Sequence, residues 1–398
     1  MTSSTSRVQG GGADRDLDWY VEDLQRNGVR RVHVLAWRDL DDIDAGGSEV
    51  HADEVMRRWA DRGLEVLHRT SHAEGLPADA VRNGYRVVRR GSRYTVFART
   101  VAAEVTRRMG PYDALVEIWN GVPWFSPVWC RRPRVTVLHH VHGPMWDQML
   151  PGPLGPLGRV LESRFAPPFY RRGLTVTGAD SSRDELLEIG FRPDRVIAVP
   201  YGVDPRFRPG GAKTPHPSVV AVGRLAPVKR FDRVIRAVVD ARRHVPGLTA
   251  TIVGRGPLAN DLQGQIDEAG AADYIRLAGR VDDPDLIELY RSSWLVMSGS
   301  IAEGWGLSLT EGAGCGTPAL ATDIRGHRNS VLDGRSGVLV DPDALATTLV
   351  ELVTDRSRLD RLAAGARDWG ASLTWERSTL GLTAALHAEV LRSGPVGK

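Results

Sequence analysis

Cysteine and lysine are scarce in this sequence, and long apolar runs are missing. The 398 residues include two cysteines, Cys130 and Cys315, which are too few and too far apart for a disulfide framework or a zinc site. No stretch of about 18 apolar residues occurs, as a membrane-spanning helix would require. The residues from Met1 to Asp14 lack the basic and apolar regions of a signal peptide. These absences predict a cytoplasmic protein without a bound metal.

The charge is nearly balanced, with 52 basic and 49 acidic residues and a formal net charge of +3. A nucleic-acid-binding protein would show a larger basic excess, so no nucleic-acid partner is expected. Only three of the basic residues are lysines: Lys213, Lys229 and Lys398. A lysine inside a structured motif therefore suggests that its compact charge is needed there.

Short apolar runs alternate with longer mixed segments from Val32 to Val340, which predicts βα units around parallel sheets. A Pro- and Gly-rich segment, from Pro209 to Pro217, separates two sets of predicted strands. The first set is Val32–Ala36, Ala114–Ile118, Val135–Leu138, Thr175–Thr177 and Val196–Val199, and the second is Ser218–Val222, Ala250–Val253, Ile275–Ala278, Leu295–Ser298, Ala319–Ala321 and Gly337–Val340. We therefore expect two doubly wound α/β lobes facing a central cleft. Leucines at helical spacing from Leu345 onward predict packing helices.

Two carboxylates flank a glycine-rich segment after the strand Leu295–Ser298, with the sequence Glu303-Gly304-Trp305-Gly306-Leu307-Ser308-Leu309-Thr310-Glu311. If Leu307 begins a helix, Glu311 lies about one turn into it and Glu303 stays in the loop. Both would then face one ligand, and the glycines would let backbone N–H groups approach a phosphate. The alternative is an acidic loop followed by an ordinary helical glutamate.

Two cations follow the first strand of the second lobe, in the sequence Gly223-Arg224-Leu225-Ala226-Pro227-Val228-Lys229. Doubly wound sheets bind ligands at such strand-to-helix turns. The fork of Arg224 and the point charge of Lys229 suit the oxygens of a diphosphate. A surface lysine by chance is the alternative.

A glycine turn, Gly46-Gly47-Ser48, follows the first strand of the first lobe, with Ser48 predicted as the N-cap of a helix running to Arg62. It lacks the G-x-G-x-x-G spacing of nicotinamide dehydrogenases. The turn either approaches a bound phosphate or sugar, or is only a tight turn.

Three histidines, His139, His140 and His142, follow another strand. Their spacing is weak for a metal site, so we expect one to bind a sugar hydroxyl or a carbonyl.

Eight arginines lie between Arg82 and Arg108, interleaved with apolar residues. They form either a basic surface for anionic lipid, which would make the protein peripheral at the inner face of the membrane, or a solvated face. The apolar segment that begins at Pro144 and runs to Leu157 either closes over an acceptor or touches a membrane. The aspartates of Asp39–Asp42 and Asp282–Asp285 are interpreted as loop and helix-cap residues.

Taken together, these motifs resemble the retaining glycosyltransferases of family 4, which have two Rossmann-like lobes in the GT-B fold. The resemblance spans most of the chain. It rests on the glycine turn, the histidine after a first-lobe strand, Ser181-Ser182-Arg183, Val199-Pro200-Tyr201-Gly202-Val203-Asp204, Gly223-Arg224 with Lys229, and the two-carboxylate segment. It implies an acceptor lobe (15–208), a donor lobe (209–374) and a C-terminal helix returning to the first lobe (375–398). The Ser- and Gly-rich N-terminus (1–14) is predicted to be disordered.

The resemblance also implies roles for single residues. Arg224 and Lys229 would neutralise the donor diphosphate without a metal or other cofactor, and backbone at Arg280 and Val281 would meet the base. Glu311 would hold the ribose hydroxyls. Hydroxyls of the transferred sugar would be held by Glu303 and the N–H groups of the segment Gly304, Trp305, Gly306 and Leu307. Gly47 and His139 would approach from the first lobe, with His140 an alternative to His139.

The implied activity is transfer of a hexosyl group from a UDP- or GDP-sugar to a hydroxyl of a glycan, a lipid-linked acceptor or a small molecule, with retention of configuration. A sugar-nucleotide epimerase and a non-catalytic regulatory protein that binds sugar nucleotides are the alternatives. Because Lys213 lies in the predicted linker, we expect Lys213→Ala to be silent.

Overall fold

The computed structural model describes residues 15–43, 45–149 and 152–394. The predicted disorder of residues 1–14 lies outside this range. The chain divides into two units, the first comprising residues up to Gly202 together with those from Trp375, and the second comprising Val203–Thr374. The sequence placed the change of unit after residue 208. The structure places it at Val203, because the N–H of Val203 donates to the carbonyl of Leu373 and Phe207 packs edge-on against Tyr290, both within the second unit.

Fourteen strands are found in the described residues. Those of the first unit are β1 (Arg31–Leu35), β2 (Glu65–Thr70), β3 (Asp79–Arg82), β4 (Tyr85–Arg89), β5 (Ala114–Trp119), β6 (Arg134–Leu138), β7 (Leu174–Thr177) and β8 (Val196–Ala198); those of the second are β9 (Ser218–Val222), β10 (Thr249–Val253), β11 (Ile275–Gly279), β12 (Leu295–Ser298), β13 (Ala319–Thr322) and β14 (Gly337–Val340). The sheet orders are β3-β4-β2-β1-β5-β6-β7-β8 and β11-β10-β9-β12-β13-β14. All pairs are parallel except β3 with β4.

Sixteen α-helices are found in the same residues. They are α1 (Leu17–Arg26), α2 (Gly47–Asp61), α3 (Val96–Val105), α4 (Ser126–Trp129), α5 (Trp146–Met149), α6 (Leu154–Val160), α7 (Pro167–Tyr170), α8 (Asp180–Glu188), α9 (Phe231–Arg242), α10 (Ala259–Glu268), α11 (Asp283–Ser292), α12 (Leu307–Gly314), α13 (His327–Ser330), α14 (Leu345–Thr354), α15 (Arg356–Ser372) and α16 (Trp375–Ser393). A π-helical turn, Leu161–Phe165, joins α6 to α7. The doubly wound architecture predicted from the sequence is therefore confirmed.

The apolar runs form strands because both faces of each central strand are covered. In β9 the run Ser-Val-Val-Ala-Val is almost entirely buried, as expected for a parallel strand between layers of helices. The helix α16 belongs to the first unit, where Leu382, Leu386 and Val390 join the core. Its Thr383 hydroxyl also accepts a hydrogen bond from the Trp59 indole of α2 at 2.8 Å. The predicted packing helices are therefore present.

Candidate functional site

The carboxyl ends of the second-unit strands carry most of the residues singled out from the sequence. In this sheet β9 has β10 and β11 on one side and β12 to β14 on the other. The helical connections after β9 and β12 therefore leave the sheet in different directions, which opens the crevice where doubly wound folds bind ligands. Lys229 follows β9 and Glu303 follows β12, so both lie at this point.

Lys229 and Glu303 form a direct ion pair, with 2.5 Å between Nζ and Oε1. Ser300 donates its hydroxyl to the same oxygen at 2.8 Å. Burial alone would raise the pKa of Glu303, but the Lys229 ammonium, the nearby His327 and the hydrogen bonds hold that pKa below its ordinary value. Glu303 is therefore an ionised carboxylate in a largely buried position. The structure thus brings Lys229 and Glu303, the two residues predicted most strongly from the sequence, into contact.

The loop that carries Glu303 is held by close backbone packing. A Cβ at Gly326 would lie 2.1 Å from the carbonyl oxygen of Glu303, so only glycine permits this approach. Gly306 has φ +97° and directly precedes α12, a left-handed conformation that glycine adopts at little cost. These two glycines fix the path of the chain between β12 and α12.

His327 lies beside this loop and was not identified from the sequence. Its Nδ1 bonds to the carbonyl of Thr322 at 2.7 Å, which makes Nδ1 the protonated nitrogen and leaves Nε2 to accept from Ser298 at 3.2 Å. Burial lowers the pKa of His327, although Glu303 opposes the shift. His327 is thus neutral. Its position after β13 is the signal that would have revealed it, since the other site residues also follow strands.

Leu307 begins α12, as predicted, and Glu311 lies one turn into the helix. The Tyr290 hydroxyl donates to Glu311 Oε2 at 2.9 Å. Burial raises the pKa of Glu311 to about 7, with the hydrogen bond from Tyr290 acting in the opposite direction. Near neutral pH, Glu311 is therefore partly protonated. Tyr290 comes from α11, and no local sequence pattern linked it to Glu311.

Arg224 and Arg280 lie at the ends of two strands that are separated in the sheet by β10, and both are exposed. Arg224 follows β9, and Arg280 with the half-buried Val281 follows β11. The intervening loop after β10 is packed tightly: a Cβ at Gly254 would lie 1.8 Å from the carbonyl oxygen of Gly223. Three consecutive strand ends thus present a glycine-lined edge with two free-standing guanidinium groups.

In the first unit, the glycine turn meets the end of β5. Gly46, not Ser48, is the N-cap of α2, so the prediction for Ser48 was wrong by two residues. The Glu49 carboxylate accepts the Gly46 N–H at 2.8 Å, and this reciprocal bond fixes the helix start in place of a serine cap. The Ser48 hydroxyl instead accepts from the Asn120 amide at 3.3 Å. Gly47 is the first residue of the helix.

His139 follows β6 and lies in a buried aromatic group with His51 and Tyr201. Its Nδ1 bonds to the Tyr201 hydroxyl, and the His51 ring packs edge-on at 5.5 Å between centroids. Burial lowers the pKa of His139 well below its ordinary value and the pKa of His51 to about 4. Within the described chain, His139 Nε2 and His51 Nδ1 have no hydrogen-bond partner. No local sequence pattern indicated His51.

His142 has a structural partner that the sequence did not reveal. Glu162, which is fully buried, accepts the backbone N–H of His142 and of Gly143 at 3.0 Å each. The indole of Trp146 donates to the same carboxylate at 3.0 Å. His142 Nδ1 lies 3.1 Å from it. The loop after β6 is therefore organised around one buried carboxylate, while His140 stacks on His142.

Four of the eight arginines of Arg82–Arg108 are paired with aspartates. Arg89 is buried against Asp39, Arg82 and Arg89 both contact Asp41, and Arg93 contacts Asp42. Arg90 pairs with Asp79. The solvated-face interpretation is thus wrong for Arg89, and the pairing removes much of the charge that a lipid surface would need. Asp282 is a helix cap, as predicted, because it accepts the N–H of Asp285 at 3.1 Å.

Lys213 is not a free linker side chain. Its ammonium donates to the carbonyl of Ser293 and to the hydroxyl of Thr317, both at 2.6 Å. Burial lowers its pKa to about 8. The expectation that Lys213→Ala is silent is therefore replaced by one of lost stability.

Among the residues that the structure describes, no group of three or more histidine, cysteine or acidic side chains is placed to hold a metal ion.

Comparison with known families divides the chain at the same region as the structure. The family model described as Glycosyltransferase Family 4 matches residues 45–207. The model described as Glycosyl transferases group 1 matches residues 204–369. The two matches together cover most of both units.

Similar proteins extend over nearly the whole chain. A D-inositol 3-phosphate glycosyltransferase of Stackebrandtia nassauensis is 30% identical, with 91% of this chain and 92% of the relative covered. A GDP-mannose-dependent alpha-(1-6)-phosphatidylinositol monomannoside mannosyltransferase of Mycolicibacterium smegmatis is 28% identical over 78% of this chain and 85% of the relative. The crystal structure of Anabaena HepE in complex with UDP and glucose has a TM-score of 0.69 at 19% identity, covering 92% and 100% of the two chains.

Proposed function

The chain belongs to the glycosyltransferases of family 4 and has their GT-B fold, and we propose that it transfers a hexosyl group from a UDP- or GDP-sugar to a hydroxyl group. We propose further that the anomeric configuration is retained and that no metal takes part. The observation that carries this proposal is the ion pair between Lys229 and Glu303 at the point where the second sheet reverses its strand order.

Lys229 and Arg224 supply the positive charge that a leaving diphosphate requires. The Lys229 ammonium is oriented by Glu303 and remains about a quarter exposed, so it can meet a phosphate without leaving its partner. Arg224 is exposed at the end of the same strand connection. In a partly dehydrated site, such fixed charges stabilise a developing diphosphate more strongly than water does. This arrangement supports departure of the diphosphate without a metal.

The remaining donor contacts follow the strand ends. Glu311 accepts the ribose hydroxyls, and the backbone at Arg280 and Val281 meets the base. The Glu303 carboxylate and the N–H groups of the loop before α12, from Gly304 through Leu307, hold the sugar hydroxyls. In the first unit, His139 is the candidate for a polar contact with the sugar, because Nδ1 is already taken by Tyr201 and Nε2 is available. Gly47 permits a close backbone approach.

The chemistry requires charge stabilisation and positioning more than a nucleophilic side chain. Departure of the diphosphate leaves an oxocarbenium-like sugar, which the acceptor hydroxyl attacks on the same face. The leaving phosphate oxygen then takes the proton of the acceptor. Glu303 is held by Lys229 and Ser300, so it is occupied as a binding group. The two carboxylates therefore differ from the acid and base of a glycosidase.

Relatives indicate which donors and acceptors to try first. The mycobacterial relative is named as GDP-mannose-dependent, and the HepE structure contains UDP and glucose. The acceptors named for the two bacterial relatives are an inositol phosphate and a phosphatidylinositol mannoside. We therefore propose GDP-mannose and UDP-glucose as donors, with an acceptor panel of inositol phosphates, lipid-linked glycans and small alcohols.

The test is to incubate the purified protein with each donor and to measure release of the nucleoside diphosphate, with and without the acceptors. Release that needs an acceptor and persists in EDTA supports a metal-independent transferase, and NMR of the product reports the anomeric configuration. A change in the sugar without nucleoside diphosphate release would favour an epimerase. Binding of donor with no turnover would favour a regulatory protein, and absence of binding to any nucleotide sugar contradicts the proposal.

A further inference from the structure

The segment from α6 to α7 exposes an apolar stripe to solvent. Five of its large apolar side chains are well exposed, although such residues are normally buried. They are Leu154, Leu157, Val160, Phe165 and Phe169. Their spacing of three, three, five and four residues keeps them on one side of a helix, because the five-residue step spans the π-helical turn Leu161–Phe165, where Ala166 N–H donates to the carbonyl of Leu161.

The opposite side of this segment is fixed to the first unit. Its buried residues include Gly155, Gly158, Glu162 and Ala166. A Cβ at Gly158 would lie 2.6 Å from the ring of Trp146, and one at Gly155 would lie 2.7 Å from Asp147. Small residues and one hydrogen-bonded carboxylate thus face inward. A surface helix normally turns its apolar side chains inward, whereas this segment turns them outward. Rotation of the segment would not bury the stripe, because its inward side is already held by close packing.

Neighbouring side chains enlarge the stripe into a patch. Phe125 contacts both Phe165 and Phe169, with ring centroids 6.0 Å and 5.6 Å apart. Val128, in the short helix directly after Phe125, is exposed as well. An exposed apolar patch of this kind marks an interaction surface. We call these six exposed residues, the stripe together with Val128, the apolar patch.

The sequence that carries the apolar patch is rich in arginine and poor in acidic residues. Between Glu117 and Asp180 the chain carries seven arginines but only two carboxylates, Asp147 and Glu162. Glu162 is buried, and Asp147 pairs with Arg159 at 3.2 Å. The five exposed arginines next to the patch in sequence are Arg131, Arg132, Arg164, Arg171 and Arg172. Exposed guanidinium groups close in sequence to an apolar helix face match the phosphates and acyl chains of an anionic bilayer.

We propose that the apolar patch and its five arginines insert into the surface of an anionic lipid bilayer, so that the first unit lies on the membrane. Within the described residues no helix has the length and hydrophobicity to cross a bilayer, and the association is therefore interfacial. This surface is separate from Arg82–Arg108, where four of the eight arginines pair with aspartates. It needs neither donor nor acceptor and thus stands independently of the proposed activity.

The test is flotation of the full-length protein with vesicles of phosphatidylcholine alone or mixed with phosphatidylglycerol. We expect binding to the mixed vesicles at low salt, about tenfold weaker binding to phosphatidylcholine, and release at high salt. The double variant Leu157→Asp with Phe165→Asp should lose binding by about tenfold or more. These side chains are 63% and 57% exposed, so the variant should remain folded, which its thermal unfolding checks.

Matched controls lie in the other basic stretch. Val81→Asp with Val105→Asp changes two equally exposed apolar residues and should leave flotation unchanged. Arg164→Gln with Arg172→Gln should weaken binding at low salt, whereas Arg107→Gln with Arg108→Gln should not. Failure of the wild type to float with anionic vesicles, or equal losses in patch and control variants, would overturn the proposal. Sedimentation showing a dimer that the Leu157 and Phe165 variant dissociates would assign the patch to a second copy instead.

Discussion

At the scale of single residues, Lys229 has two electrostatic tasks. It holds Glu303 ionised through a 2.5 Å contact, and in the proposed activity it neutralises the diphosphate. Lys229→Ala should therefore lower turnover, or donor affinity, by at least about tenfold, equivalent to about 1.4 kcal/mol. Isothermal titration with GDP-mannose and UDP-glucose, followed by turnover assays with the donor that binds, measures both effects.

The control for Lys229 follows from the contacts of Lys213. Lys213→Ala should lower the melting temperature, because it leaves the Ser293 carbonyl and the Thr317 hydroxyl without their donor. It should not change donor affinity in the folded protein. Arg243, exposed on the same unit and paired only at the surface with Asp240, provides a charge-removal control, Arg243→Ala, without either effect. Equal losses of donor affinity in all three variants would show that Lys229 has no special role.

Glu311 should make the second unit less stable as the pH rises. Its folded pKa, about 7, lies above the ordinary value of 4.5, so the folded protein binds the proton more tightly than the unfolded chain. The resulting stabilisation is complete below about pH 4.5 and is lost as the pH rises through about 7. Glu311→Gln should flatten the dependence of the melting temperature between about pH 5 and pH 8, with a gain over the wild type at pH 8.

Two further variants define this pH effect. Tyr290→Phe removes the hydrogen bond that favours the Glu311 carboxylate, and it should move the transition to higher pH. Glu288→Gln, an exposed change on α11, should leave the profile as in the wild type. If Glu311→Gln retains the wild-type profile, another group is responsible for it.

Local residue patterns identified only part of these contacts. Lys229, Glu303 and Glu311 could be predicted because they follow strands and sit beside glycines. Tyr290 could not, because it reaches Glu311 from a separate helix, whereas His327 was detectable only from its position after β13. The aspartate pairing of Arg89 was likewise invisible, since Asp39 lies fifty residues away in sequence. Contacts of this kind depend on the order of strands, which a single sequence does not specify.

At the scale of elements, the loop between β12 and α12 depends on glycine at position 326. Because a Cβ there would lie 2.1 Å from the Glu303 carbonyl oxygen, Gly326→Ala must displace the loop that positions Glu303. We expect a lower melting temperature and a fall in turnover of about tenfold or more. A matched control is Gly264→Ala in α10, where a Cβ meets no atom within 4 Å. That change should stabilise the protein by about 1 kcal/mol and leave turnover intact.

The sequence predicted elements well where apolar runs were continuous and poorly where polar residues were buried. All eleven predicted strands are present, with ends that differ by at most one residue. The three strands β2, β3 and β4 were missed, and in β2 and β4 the apolar pattern is interrupted by His68, Arg69 and Arg89. In the folded protein these side chains are buried, and Arg69 donates to the carbonyls of Val88 and Arg90. Buried hydrogen bonds replace the hydrophobic signal on which strand prediction relies.

At the scale of the whole molecule, the two units carry their buried histidines unequally. The first unit contains His51 and His68, whose pKa values burial lowers to about 4, and His139, whose pKa is also well below its ordinary value. In the second unit, His327 is the buried histidine with a lowered pKa among the described residues. A histidine of this kind binds fewer protons in the folded than in the unfolded state, so stability is lost as the pH falls from about 6.5 towards 4.

Acidification should therefore unfold the first unit before the second. Glu117 in the first unit and Glu311 in the second have raised pKa values, so each stabilises its unit as the pH falls. In the first unit one such glutamate acts against three destabilising histidines, and in the second unit one acts against a single histidine. One pKa unit corresponds to about 1.4 kcal/mol, and a shift of one unit at each of three histidines already amounts to about 4 kcal/mol.

Hydrogen exchange measured by mass spectrometry at about pH 7 and pH 5 should show greater loss of protection in β1, β2 and β6 than in β9 and β10, after correction for intrinsic rates. His51→Gln should reduce that loss because one titrating group is removed, and equal loss in both units would contradict the assignment of acid sensitivity to the first unit.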